Sequence, residues 1–203
     1  MPDSVTKRPS GTRSSPGKRE RLIGAAVRLL HEQGVERTTL ADIAQLAEVP
    51  PGNVYYYFKT KDDVIAAVVE AHASQVRTTL SAIDAKHRSP RNRLKALVRD
   101  LTCHAEVVAE HGCPLGSLCS ELDKRLDISG FGVAELMTLI IDWAEAQFRQ
   151  LGQPERARDL AVDLLASYQG SALLANTLRD PKILSGAARR LEQHIDGLPA
   201  GHA

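Results

Sequence analysis

Apolar positions recur every three to four residues along most of the chain, the spacing of amphipathic helices. Leu22, Ile23, Ala26, Val27, Leu29 and Leu30 predict a helix over 17–33, ended by Gly34 in a left-handed cap. Thr39, with Asp42 three residues on, is a capping-box start, and Leu40, Ile43, Ala44 and Ala47 mark one face of a short second helix. Pro50-Pro51 interrupts that pattern, because proline ends a helix but suits a first turn. A third short helix is expected from Pro51 to Phe58. Thr60 and Asp63 repeat the capping signature and open a long helix from about Lys61 to Ala85. Further helices are expected over about 89–111, 115–125, 133–150, 154–177 and 181–195, with breaks at GCPLG and DISGFG. The reading is all-α, with about nine helices and no sheet.

The run VYYYF, residues 54–58, tests that reading, since aromatic runs favour strands. The caps on either side leave room only for a short helix. On it, Val54 and Phe58 are four apart and are expected inside; Tyr56 is expected mostly inside, and Tyr55 and Tyr57 outside.

Composition changes little. An apolar fraction of 43% supports a real core, and few aromatics make it one of Leu, Ala, Val and Ile. No apolar run is long enough to span a membrane, and the N-terminus lacks a secretory core, so a cytoplasmic protein is expected. Three cysteines without regular spacing make no disulfide framework. Net charge is +1, but residues 1–62 hold ten Lys and Arg against seven acids. A basic N-terminal end suits nucleic-acid contact, and suits a solvated charged tail equally well.

TTLADIAQLAEVPPGNVYYYFKTKDDV, residues 38–64, resembles the DNA-binding domain of the TetR family of bacterial transcriptional regulators. Gly34, Thr39, Ile43-Ala44, Val49, Gly52, Val54-Tyr55, Tyr57-Phe58 and Lys61-Asp62 carry the likeness, over roughly residues 18–65. The resemblance implies a helix-turn-helix at about 40–58 within a DNA-binding domain at 17–62. A ligand-binding and dimerisation domain follows at 63–195, between a disordered basic tail (1–16) and a C-terminal tail (196–203). It implies that Pro51, Gly52, Asn53 and Tyr55 face bases or adjacent phosphates, and that Thr39, Tyr57 and Lys61 contact phosphate. Asn53 is the side chain best suited to an adenine edge. Two positions depart from the pattern: Pro50 stands where a small polar cap is frequent, and Glu48 where a turn glycine is usual.

The segment HGCPLGSLCSEL resembles a Gly-Cys-x-x-Gly loop of one TetR branch that includes flavonoid-responsive and electrophile-sensing repressors. Its Cys113 is a reactive thiol or a small core residue. His104, Cys113, Leu118, Met137, Ile141 and Trp143 are the candidate effector-binding residues by type. Leu164, Leu165, Tyr168, Ala172 and Ala175, with Leu184, Ala188 and Leu191, form two helix stripes expected to pair with a second copy. No catalytic constellation, metal site or cofactor motif is present in the sequence. The expected partners are a double-stranded operator, a small-molecule effector and a second copy, with no membrane. The expected function is a dimeric, ligand-released repressor. A constitutive nucleoid-type binder and a helical enzyme or carrier using the cysteines are the alternatives.

Overall fold

A computed structural model describes residues 17–123 and 132–199. The expected tails at 1–16 and 200–203, and the end of the helix expected to reach Arg125, lie outside the described residues. Among the described residues ten α-helices follow in order: α1 (Lys18–Gln33), α2 (Leu40–Leu46), α3 (Pro51–Tyr57), α4 (Lys61–Lys86), α5 (Pro90–Thr102), α6 (Ala105–His111), α7 (Pro114–Asp123), α8 (Val133–Gln150), α9 (Ala157–Leu178) and α10 (Lys182–Gly197). A 3₁₀ turn, Pro154–Arg156, leads into α9. Among the described residues there is no strand, and no helix is long and apolar enough to cross a membrane.

Local chemistry sets most of the helix ends. Thr39 Oγ accepts from Asp42 N at 3.2 Å, while Asp42 Oδ2 accepts from Thr39 N at 2.9 Å. Thr60 and Asp63 repeat this exchange at 3.1 and 2.9 Å. Gly34 ends α1 at φ +84°, in the left-handed region that only glycine enters without cost.

The single helix expected over 89–111 is two helices. Thr102 Oγ1 donates to Val98 O at 2.7 Å, and Cys103 Sγ to Asp100 O at 3.0 Å. Side chains that occupy backbone carbonyls in this way compete with the helical ladder. The helix breaks in a turn at Cys103-His104, where His104 leaves the helical region at φ −108° and ψ 43°, and α6 starts at Ala105.

Two apolar cores result. One joins α1, α2 and α3 to the first half of α4 around Leu22, Ile43, Val54, Phe58 and Ile65. The other packs α5, α6, α8, α9 and α10 around Leu94, Leu97, Phe148 and Leu184. Leu118 and Leu122 of α7, with Leu136 of α8, belong to the first core although they follow the break in sequence. So α7 is gripped by the N-terminal helices.

Candidate nucleic-acid interface and effector cavity

The α2–α3 unit carries the first site. At seven residues α3 is too short to be stable alone, and its position comes from packing. Val54 and Phe58 are buried, each worth about 1.5–3 kcal/mol of transfer free energy. Arg19 stacks over the Phe58 ring, 5.4 Å from its centroid. The turn into α3 passes through Glu48 at φ +52°, so the residue in the glycine position does adopt the left-handed conformation. Pro50 offers no side-chain cap to α3, and the first-turn bond there is Asn53 N to Pro50 O at 2.8 Å.

This anchoring turns Pro51, Gly52 and Tyr55 outward and leaves Asn53 half-exposed. Tyr56, expected mostly inside, is 78% exposed, more than Tyr55 at 56%. The reason is the helical period: Tyr56 lies two residues from both Val54 and Phe58, about 160° from each around the axis. Tyr57, expected outside, falls beside them and packs partly on the core, with its ring edge-on to Tyr56 at 5.0 Å. Tyr56 is therefore a surface residue that the sequence reading missed. Lys61 Nζ donates to Glu36 O at 3.3 Å and so braces the turn after α1. Lys59 Nζ donates to Tyr55 O at 2.6 Å, adding a second cation beside the tyrosines. Hydrogen bonds from Thr39 hold the Asp42 carboxyl below the usual carboxylate range, and those from the Thr60 and Lys59 amides do the same for Asp63. Both caps stay ionised and formed at neutral pH.

A second site lies below. A cavity of about 410 Å³ opens between α4, α5 and α6, and α1, α7, α8 and α9 also contribute to its walls. His104 and Cys113, expected there, line it. Leu118, Met137, Ile141 and Trp143 do not. Leu118 packs in the first core, Met137 and Ile141 pack against the second, and Trp143 Nε1 donates to Asp84 Oδ2 at 3.0 Å. The residues missed are His31, His72, Asp100, Tyr168 and Gln169. They converge from four helices, and sequence spacing within any one helix could not have joined them. Burial, then the neighbouring His31, lowers the His72 pKa and favours its neutral form. Burial raises the Asp100 carboxyl against a smaller lowering by His104. Among the described residues no group of His, Cys, Asp and Glu is placed to hold a metal ion.

Two contacts tie this region to the first core. His31 Nε2 lies 2.8 Å from Gly112 O, in hydrogen-bond contact, and Glu121 Oε2 accepts from Val35 N at 2.6 Å.

The dimer stripes need correction. Leu164, Leu165, Tyr168, Ala172, Ala175 and Leu184 are buried within the subunit, and Ala188 packs half-buried against the same core. They form the inner face of α9 and α10, so they are not free to meet a second copy. The outward large apolar residues of α9 are Val162, Leu173, Leu174 and Leu178, the last 63% exposed. Leu174 and the previously named Leu191 border a groove between α9 and α10, floored in part by Ser167, Gly170 and Ser171.

Comparison with known proteins agrees with this geometry. Residues 22–68 match the model of bacterial regulatory proteins of the tetR family. The chain is 40% identical over 194 residues to the HTH-type transcriptional regulator BetI of Burkholderia thailandensis, covering 92% of this chain and 95% of that one. It is 26% identical to the regulator LmrA of Bacillus subtilis, over 80% of this chain and 88% of the relative. Among solved structures, a TetR transcriptional regulator from Legionella pneumophila superposes with a TM-score of 0.76 at 22% identity, over 90% of this chain and 99% of that one. With a helix-turn-helix presented on one core and a cavity in the other, the chain belongs to the TetR family of transcriptional regulators, DNA-binding and ligand-responsive proteins rather than enzymes.

Proposed function

We propose that this protein is a repressor that binds a palindromic operator as a dimer and is released when a small apolar or electrophilic molecule enters the cavity. The observation that carries the reading is α3 itself: Val54 and Phe58 lock it to the core, Tyr55 and Tyr56 face solvent, and Asn53 is half-exposed beside them. A short helix fixed in this way suits the major groove, where Asn53 reads an adenine edge and tyrosine and lysine contact phosphates. Thr39, Tyr57 and Lys61 hold the flanking backbone contacts. In this reading residues 17–62 are the reading unit, residues 63–195 sense and dimerise, and the protein works in the cytoplasm.

A two-fold dimer supplies the second reading head. The groove bordered by Leu174 and Leu191, with Leu178 exposed on the same helix, supports this, because a Cβ at Gly170 would meet nothing within 4 Å and a partner helix has room to approach. Release follows if the effector favours the non-binding arrangement by a few kcal/mol. Cavity-wall residues Cys113, Pro114 and Leu115 lead directly into α7, whose Glu121 holds the turn after α1. This path complements α4, which joins both cores.

Operator titrations test the reading. Asn53→Ala costs ~1–3 kcal/mol and relaxes specificity at one base position. Lys61→Ala weakens all sequences alike and lowers the salt slope by about 1. Unchanged affinity in both variants would sink the placement of α3 in the groove. Cys113→Ser separates the two effector classes: it abolishes release by N-ethylmaleimide if the trigger is electrophilic, and leaves release by an apolar effector intact.

A further inference from the structure

At the inner end of the cavity several donors are paired with sulfur. Tyr168 is only 4% exposed, and its hydroxyl hydrogen bond is to Cys113 Sγ, at 3.5 Å. Gln169 Nε2 donates to the same sulfur at 3.6 Å and to Met137 Sδ at 3.8 Å. Gly116 N also points at Cys113 Sγ, at 3.4 Å. Thiol and thioether sulfurs are weak acceptors, so these donors hold well below their hydrogen-bonding capacity. Gly116 is what lets Gln169 stand there, since a Cβ on it would sit 2.5 Å from Gln169 Oε1.

The charges around the cavity narrow the choice further. Among the described residues no Lys or Arg lines it. Its bases are His31, His72 and His104, and burial together with His31 disfavours the charged form of His72. Its carboxylate is Asp100, at the exposed rim with His104. The remaining wall is mostly apolar, with Val76, Leu80, Leu97, Val108, Leu115 and Ile140, and its further polar side chains, Gln75 and Thr79, bond to each other at 3.3 Å. A carboxylate ligand would lose its hydration without meeting a cation. An ammonium would meet the Tyr168 and Gln169 donors at the inner end, and among the described residues no carboxylate lines that end.

We infer that the cavity recognises an uncharged, largely apolar molecule whose carbonyl oxygen sits at the inner end and accepts from the Tyr168 hydroxyl and the Gln169 amide. The inference rests on reading this cavity as the effector site. Both donors already reach one sulfur, so one carbonyl oxygen with two lone pairs can take both in its place.

Three ten-carbon probes test it on the full-length protein by calorimetry at pH 7.5: 2-decanone, decanoate and decylamine. Binding of 2-decanone at least tenfold tighter than either charged probe is expected. Tyr168→Phe and Gln169→Leu should each weaken 2-decanone by about five- to tenfold, the loss of one hydrogen bond. Phe retains the ring, and Gln169 is only half-buried, so one variant stays informative if the other folds poorly. Tighter binding of decanoate or decylamine, binding of no probe, or an unchanged ketone affinity in both variants would overturn the inference. Operator binding measured beside it separates the two levels. Release of DNA by decanoate overturns the ligand class and keeps the effector site. Tight, Tyr168-dependent ketone binding that leaves operator affinity unchanged keeps the class and removes the site's regulatory role.

Discussion

Replacing Glu121 by alanine should loosen the contact through which α7 holds the DNA-reading unit. Glu121 Oε2 accepts from Val35 N at 2.6 Å, and Val35 is 1% exposed, so its amide gains no water when the carboxylate goes. The carboxylate also covers Gly34, where a Cβ would stand 3.0 Å from Oε2. A hydrogen bond to a charged acceptor contributes about 1.5–3 kcal/mol, and an abandoned buried N–H costs about 1–3 kcal/mol. Because the Glu121 side chain is itself half-exposed, we expect a net loss of about 1–2 kcal/mol in denaturant unfolding. Amide exchange gives the local readout, with Val35 exchanging about 5- to 30-fold faster if the loss falls on this turn. Glu121→Gln keeps an oxygen acceptor and should lose about half as much. The functional consequence is weaker coupling. Seven residues separate Pro114 at the cavity wall from Glu121, about 10 Å along the helix. Any effector that releases the wild type should change the operator affinity of Glu121→Ala by a smaller factor. Wild-type protection of Val35 together with full effector response in Glu121→Ala would refute the reasoning.

Three further outcomes follow from the same structure. Glu48→Gly should raise stability by about 0.5–1 kcal/mol in denaturant unfolding, because φ +52° costs a non-glycine residue more than the extra chain entropy of glycine; a destabilised variant would contradict this. Leu174→Arg with Leu178→Arg should convert the proposed dimer to folded monomers in sedimentation equilibrium and weaken binding to a palindrome, since both side chains are exposed in the subunit; a variant that still sediments as a dimer would remove this face from the interface. His72 has its pKa lowered from 6.5, so the unfolded chain binds its proton more readily than the native one. Its stabilising contribution is complete above pH 6.5 and is lost as pH falls below it, and His72→Gln should flatten that part of the stability–pH curve.

The fold was legible because its punctuation is local. Thr39, Thr60, Gly34 and Pro90 act within a turn of themselves, and each stands where the sequence places it. The break at Cys103-His104 was harder, since it arises from side chains reaching back to Val98 and Asp100 while the apolar spacing continues. Tyr56 was readable in principle: two residues from each of two inward anchors is the far side of a helix. The cavity was not readable, because His31, His72, Asp100, Tyr168 and Gln169 meet only when four helices pack. The dimer stripes went wrong for a related reason. Spacing identifies the apolar face of a helix, but does not say whether its own subunit or a second one covers that face.

The central claim is that two copies of α3 read a symmetric site through Asn53 and its neighbours. Selection from a random duplex pool by the purified protein tests it most directly. The account predicts enrichment of an inverted repeat, with half-sites about one helical turn apart and one base position in each half that loses its preference in Asn53→Ala. Enrichment of a single asymmetric site, or an identical preference from wild type and Asn53→Ala, would contradict it.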